Sequence, residues 1–272
     1  MGQATLQNSS AQADQAAASS DAVRLRVSHL TLSWDRDVIC DDITFDVHAG
    51  ELVCLVGRSG SGKTTLFHAI AGLTTPDSGS VFLDGRDITG HAGDVSYMLQ
   101  KDLLLPQRTI IDNVAMPLLI AKVPRKQALA QAQEHFSAFG LEGTERLYPS
   151  QLSGGMRQRA ALLRTYLMHN NTILLDEPFS ALDALTRKDI QQWFLDMLTR
   201  LNLSAILVTH DVDEAIALAD RILILGEEIP GQIRPSTIVG EVVVACPRQS
   251  RKDFLLTDAA LIIKRQVLDL LG

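Results

Sequence analysis

The sequence predicts an α/β fold. A parallel sheet with crossover helices forms its core, an antiparallel β subdomain precedes that core, and an α-helical subdomain is inserted into it. Three observations predict this. Apolar and polar residues alternate from Val23 to Trp34 and again from Ile43 to Val47, the pattern of half-buried antiparallel strands. Leu52–Val56, Ile173–Leu175 and Ala205–Val208 are instead continuous apolar runs, as expected of strands covered on both faces. Between them, the stretch from residue 102 to about 170 is rich in Ala, Gln and Leu at helical spacing and poor in strand signals.

The elements follow in order. Residues 1–22 are mostly Gln, Ala and Ser with almost no large apolar side chain, too little to offset the entropy of ordering, so a disordered tail is expected there. Residues 23–245 then carry the strand and helix signals of one α/β domain, with the helical subdomain at about 102–170. Over 246–272 a C-terminal amphipathic helix is expected. It would place Leu255, Ala259, Ile263, Val267 and Leu271 on one stripe packed against its own domain.

Composition narrows the function classes. With 272 residues, 46% hydrophobic and 21% charged, the chain is long enough for a large core. Its formal charge of −7 argues against a nucleic-acid partner, which needs a basic surface. Cys40, Cys54 and Cys246 are odd in number and lack CxxC spacing, so free thiols in a reducing compartment are expected rather than a disulfide or zinc framework. No apolar run reaches 18 residues and no signal peptide is visible, which points to the cytoplasm.

Gly57-Arg58-Ser59-Gly60-Ser61-Gly62-Lys63-Thr64 fits GxxxxGK[ST], placed after a buried strand and before a helical stretch beginning at Thr65. That context defines a P-loop NTPase (RecA-like) core. The glycines let backbone N–H groups curl around phosphate oxygens, and the helix N-terminus adds its positive end. Lys63 is expected to reach the β and γ phosphates of ATP, and the Thr64 hydroxyl to ligate Mg²⁺. Farther along, Ile173-Leu174-Leu175-Asp176-Glu177-Pro178 delivers two acids to the C-terminal end of a strand, where ligands sit in open α/β sheets. Asp176 is the candidate for the Mg²⁺ shell. Glu177, pointing the other way, is the candidate general base for water attacking the γ-phosphate. Without the phosphate loop, Asp-Glu-Pro would read only as a helix start.

Leu152-Ser153-Gly154-Gly155-Met156-Arg157-Gln158-Arg159 offers a second Ser-Gly-Gly anion nest at a helix start, although the phosphates already have a cradle. With this octamer, the sequence closely resembles the ATP-binding subunits of ABC transporters, whose signature motif it matches. The resemblance covers about residues 23–245. It implies a head-to-tail pair with a second copy, in which Ser153, Gly154, Gly155 and Gln158 of one chain cover the nucleotide held by the other's loop. It also implies that Trp34 stacks on adenine and that Gln100 touches Mg²⁺ and the attacking water. By the same resemblance, Ser180-Ala181-Leu182-Asp183 lies at the dimer seam, and His210 contacts the γ-phosphate. Each has a plainer reading alone: packing for Trp34, a loop residue for Gln100, a helix cap for Asp183 and a surface or core histidine for His210.

Within the family, Leu103–Leu118 together with Tyr148-Pro149-Ser150-Gln151-Leu152 and Phe179-Ser180-Ala181-Leu182-Asp183 looks like the importers of nitrate, sulfonates, taurine and pyrimidine vitamin precursors, although Gln107 stands where Trp is frequent. This implies membrane permease subunits, an extracytoplasmic substrate-binding protein and a peripheral place on the cytoplasmic face of the membrane. Efflux or lipid export would share every ATP-site residue. A non-transport ABC ATPase acting on DNA or ribosomes predicts coiled-coil insertions or two ATP domains in one chain. A small-molecule kinase or GTPase leaves the signature octamer unexplained.

Overall fold

The computed structural model describes residues 22–227 and 235–272; the expected tail lies outside them except for Ala22. β1 (Val23–Trp34) and β2 (Asp37–His48) pair antiparallel. β4 (Ser78–Leu83) joins β1 and the short β5 (Arg86–Asp87) closes that edge, both antiparallel. On the other side β3 (Leu52–Gly57), β8 (Ser204–Thr209), β7 (Thr172–Asp176) and β6 (Ser96–Met98) run parallel. β9 (Arg221–Glu227) flanks β3 in parallel, and β10 (Ser236–Val243) pairs antiparallel with β9.

β10 also meets β2 in parallel at Ser236 and Cys40, so the antiparallel and parallel parts form one sheet in the order β5-β4-β1-β2-β10-β9-β3-β8-β7-β6. The two strand sets expected from the sequence are therefore continuous. The seam between them, β9 and β10, is absent from the sequence reading, although Ile222–Leu225 carries the same apolar run as β7 and β8.

β3 divides the interior, and its alternation explains why a fully apolar strand is needed. Leu52, Cys54 and Val56 face one core with α5 (Gly154–Tyr166), α6 (Ala184–Leu201) and α7 (Val212–Leu218). Val53 and Leu55 face the other, with Leu66, Phe67 and Ile70 of α1 (Lys63–Ile70) and Leu25 and Val27 of β1. All six β3 residues are buried, and each Leu or Val removed from water contributes about 1.5–3 kcal/mol. This burial makes β3 a rigid support for the loop at its end.

The insert is helical but broken into short pieces: α2 (Ile110–Val114), α3 (Met116–Ile120) and α4 (Arg125–Glu134), then a 3₁₀ turn at Pro149–Gln151 before α5. Buried Asn113 ties its entry loop down, donating to the carbonyls of Leu105, Arg108 and Thr109 and accepting from the Leu105 N–H. At the C-terminus a 3₁₀ segment, Arg248–Leu256, precedes α8 (Asp258–Leu271). Thr257 caps α8, its side chain accepting from the Ala260 N–H, so the helix starts later than the sequence pattern suggests. Its buried stripe is Ala260, Ile263 and Val267; Ala259 is exposed and Leu255 belongs to the preceding segment. Among the described residues, no helix is long and apolar enough to cross a membrane. Among the described residues, Cys40, Cys54 and Cys246 form no disulfide, and burial pushes the Cys54 thiol well above its ordinary range.

Candidate nucleotide site

At the end of β3 the chain turns sharply into α1. Gly62, the residue before the helix, has φ +94°, and a Cβ there would lie 2.7 Å from Cys40 Sγ and 2.8 Å from Ile39 Cγ2, so a side chain fits neither the angle nor the space. Lys63 follows and is buried. Its Nζ donates to the carbonyls of Gly57 at 2.8 Å and Arg58 at 2.7 Å, which holds the loop closed on itself. Burial pulls the lysine pKa down, while the charges of Glu177 and Asp176 work against that shift.

This loop borders a cavity of about 640 Å³ lined by Trp34, Ile39, Ser59, Gly60, Gly62, Lys63, Thr64, Thr65, Asp176, Glu177, Val208 and His210. Trp34, at the turn between β1 and β2, is 69% exposed at the rim, as a stacking surface requires. Asp176 ends β7 and is held by the Tyr97 hydroxyl, which donates to Oδ2 at 3.4 Å. Its pKa is raised, first by burial and then by the neighbouring Glu177 charge; a cation at the site would relieve both.

Glu177 has φ +44°, a left-handed backbone unusual for a residue with a side chain and typical of strained functional positions. Its N–H donates to the Val208 carbonyl at 3.0 Å, tying the turn after β7 to β8. Oε2 accepts from Gln100 Nε2 at 3.0 Å, and Oε1 lies 3.0 Å from His210 Nδ1. Gln100, Glu177 and His210, far apart in sequence, thus converge on one carboxylate beside the cavity that holds Lys63. For a metal, the described residues hold no cluster of three or more His, Cys, Asp or Glu. The Asp176 carboxylate and Thr64 hydroxyl supply hard oxygens on one cavity wall, which fits Mg²⁺, a cation that fills its shell largely with water and phosphate oxygens.

Other candidates lie elsewhere. Gly57 and Ser61 belong to the loop but do not line the cavity, and the Arg58 guanidinium turns away to the Gly272 carbonyl. Ser153, Gly154, Gly155 and Gln158 are also outside the lining. The exposed Ser153 caps α5, its Oγ accepting the Met156 N–H at 3.2 Å. Gly155 lies against Thr186 and Ile190 of α6, and Gln158 is buried with Oε1 unpartnered. Ile39, Tyr97 and Val208 are missed by sequence reasoning. Val208 ends an apolar run that was readable, whereas no local pattern distinguishes Tyr97 or Ile39 from packing residues.

A phosphate loop, an acid pair at the end of one neighbouring strand and a histidine after another define an ATP-hydrolysing nucleotide-binding domain. The ABC transporter family profile matches residues 40–180, and the chain belongs to that family. It is 44% identical over 186 residues to the formylaminopyrimidine import ATP-binding protein ThiZ of Halalkalibacterium halodurans, spanning 68% of this chain and 72% of the relative. It is 38% identical over 210 residues to the nitrate import ATP-binding protein NrtD of Synechocystis sp., 77% of each chain. Among solved structures, the dimeric bacterial ABC transporter cassette MJ0796 superposes with a TM-score of 0.68 at 25% identity, over 82% of this chain and all of that one. The chain is an ATP-binding, ATP-hydrolysing subunit homologous to import ATPases.

Proposed function

We propose that this chain energises an importer of small molecules, working as a head-to-tail pair with a second copy beneath membrane permease subunits. Delivery by an extracytoplasmic binding protein, and a peripheral place on the cytoplasmic face of the membrane, belong to the same reading. Supporting it are relatives named for importing a formylaminopyrimidine and nitrate. The observation that carries the pairing is the Ser153 turn. It is an exposed helix N-terminus suited to an anion, yet it lies outside the cavity bordered by the phosphate loop of its own chain.

In this reading Trp34 stacks on adenine, the loop N–H groups from Ser59 to Thr65 surround the phosphates, and Lys63 neutralises their charge. Mg²⁺, held by Thr64 and Asp176 with Gln100 nearby, supplies further charge neutralisation when bound. Glu177 accepts a proton from the attacking water, with Gln100 and His210 fixing the carboxylate from either side. Ser153, Gly154, Gly155 and Gln158 come from the second copy. ATP binding closes the pair and hydrolysis reopens it, because the γ-phosphate makes its contacts in only one state.

Mixing two defective chains tests the pairing. Lys63→Ala and Ser153→Arg should each be inactive alone. Mixed, half of the dimers contain one complete composite site, and about a quarter of wild-type phosphate release should return. No recovery on mixing, with no ATP-dependent dimer on size exclusion, would remove the head-to-tail reading.

A further inference from the structure

Outside the nucleotide cavity, one side chain joins two loops of the site. Arg187, one turn into α6, donates from Nη2 to the Leu182 carbonyl at 2.9 Å. Its Nη1 lies 3.8 Å from Asp211 Oδ2. Leu182 sits in the 179–183 loop that follows Glu177, and Asp211 directly follows His210. Neither end is loose. The Ser180 hydroxyl donates to the Glu177 carbonyl at 3.0 Å, so the 179–183 loop is fixed on the base-bearing residue. The Asp211 N–H donates to Thr209 Oγ1 at 3.0 Å, while its Oδ1 caps α7 through the N–H groups of Asp213 and Glu214. With one carboxylate oxygen used as the cap, the other faces Arg187.

The Arg187 side chain is 32% exposed, and its Nε is buried without a protein partner. It borders a small cavity of about 50 Å³ shared with Glu177, Ser180, His210 and Glu214. Partial burial of this charge, with Nε shut off from a partner, costs some desolvation, which the two contacts offset while both loops keep this spacing. Displacing Leu182 would therefore displace Arg187, then Asp211 and the backbone that places His210 against Glu177.

We propose that Arg187 is a positioning residue that couples the 179–183 loop to His210, so that the approach of a second copy is registered as the placement of the His210–Glu177 pair. This rests on the reading that the 179–183 loop lies at the seam between two copies. Its own content is the route by which contact at that seam reaches the site.

The test uses the full chain with Arg187→Met, which keeps the length and removes the charge and donors, and with Arg187→Lys and Asp211→Asn, the latter retaining a capping oxygen. Fluorescent ADP titration, melting temperature and steady-state ATPase against ATP concentration are measured for each. Arg187→Met should lower kcat on the order of tenfold, with KM and ADP affinity within about twofold, because the disturbed group acts in turnover rather than binding. Dependence on ATP should also lose cooperativity relative to wild type. Asp211→Asn should reproduce the loss, the double variant should add no more than about twofold to it, and Arg187→Lys should restore part of kcat. Wild-type kcat in Arg187→Met, additive losses in the double variant, or a kcat loss that follows melting temperature across all four variants would each overturn the coupling. An uncooperative wild type that forms no ATP-dependent dimer would instead defeat the pairing itself.

Discussion

The two glycine-rich turns of this chain are built for opposite situations. At Gly57–Thr65 the chain brings its own partners: Lys63 is buried on loop carbonyls, Asp176 and Glu177 share the cavity, and His210 and Gln100 reach the Glu177 carboxylate. At Ser153–Gln158 the partners are structural: Arg157 Nε pairs with Asp102 Oδ2 at 3.2 Å, and its Nη1 donates to the Leu152 carbonyl at 2.9 Å. Ser153 uses its hydroxyl only to cap α5 and stands exposed, while behind it the helix packs tightly against α6. A loop whose cavity gathers two acids and a histidine is equipped for chemistry, whereas an exposed helix start outside that cavity is suited to be presented to something else. On the proposed reading, catalysis belongs to one turn and docking to the other, and variants on each side can break that division.

The largest effect is expected on the chemical side. Glu177→Gln keeps the side-chain volume and one acceptor oxygen, enough for Gln100 or His210 but not both, and removes the proton acceptor. Phosphate release should fall by roughly 10²–10⁴-fold while nucleotide affinity is unchanged and an ATP-bound dimer accumulates. Turnover at the native rate would take Glu177 out of the reaction and leave the first turn a binding site alone.

A smaller effect is expected behind the second turn. In Gly155→Ala the new Cβ would sit 2.7 Å from Ile190 Cδ1 and 2.9 Å from Thr186 Cγ2, so α5 must shift or two side chains must rearrange. Overpacking of this kind costs about 1–3 kcal/mol, partly offset by the better helix propensity of alanine. The expected result is a melting temperature lower by a few degrees, with ATPase reduced and ADP affinity for the isolated chain within about twofold. Weakened ADP binding would mean that the two turns are not independent within one chain.

The sequence reveals these turns because each functional residue there ends a periodic run or completes a dense motif. Asp176 ends a buried strand, and Lys63, Glu177 and His210 come after buried strands, whose apolar signal is local. What it does not reveal depends on residues distant in sequence. Tyr97 becomes relevant only because β6 pairs with β7 and carries its hydroxyl to Asp176. Arg187 is an ordinary helix residue until Leu182 and Asp211 approach it. Arg58 shows the reverse: the motif assigns it to phosphates, while the fold turns it to the Gly272 carbonyl. For α8, the Thr257 cap shifts the start of the helix, and with it the buried face, in a way that hydrophobic spacing alone does not register.

The buried polar residues behind the two turns extend the contrast to pH. Gln158, behind the second, is a neutral amide, whereas Glu214, behind the first, is a buried carboxyl whose pKa burial raises above its ordinary 4.5, against the hydrogen bonds from Thr209 and Gln191. A raised carboxyl favours the protonated form in the fold. Its contribution is complete below the unfolded value near 4.5 and is lost as pH rises through the higher folded value, where a buried charge must form. Glu214→Gln removes that charge and keeps an oxygen for Gln191, which donates to Oε1 at 2.8 Å. The variant should therefore match wild type near pH 4.5 and melt higher at pH 8, by about 2–4 °C for a penalty on the order of 1 kcal/mol. Gln158→Leu should show no such pH trend. A Glu214→Gln difference that stays flat with pH, or a lower melting temperature at pH 8, would mean that the ionised carboxylate is compensated where it lies, and that the chemical side carries no electrostatic cost in its support.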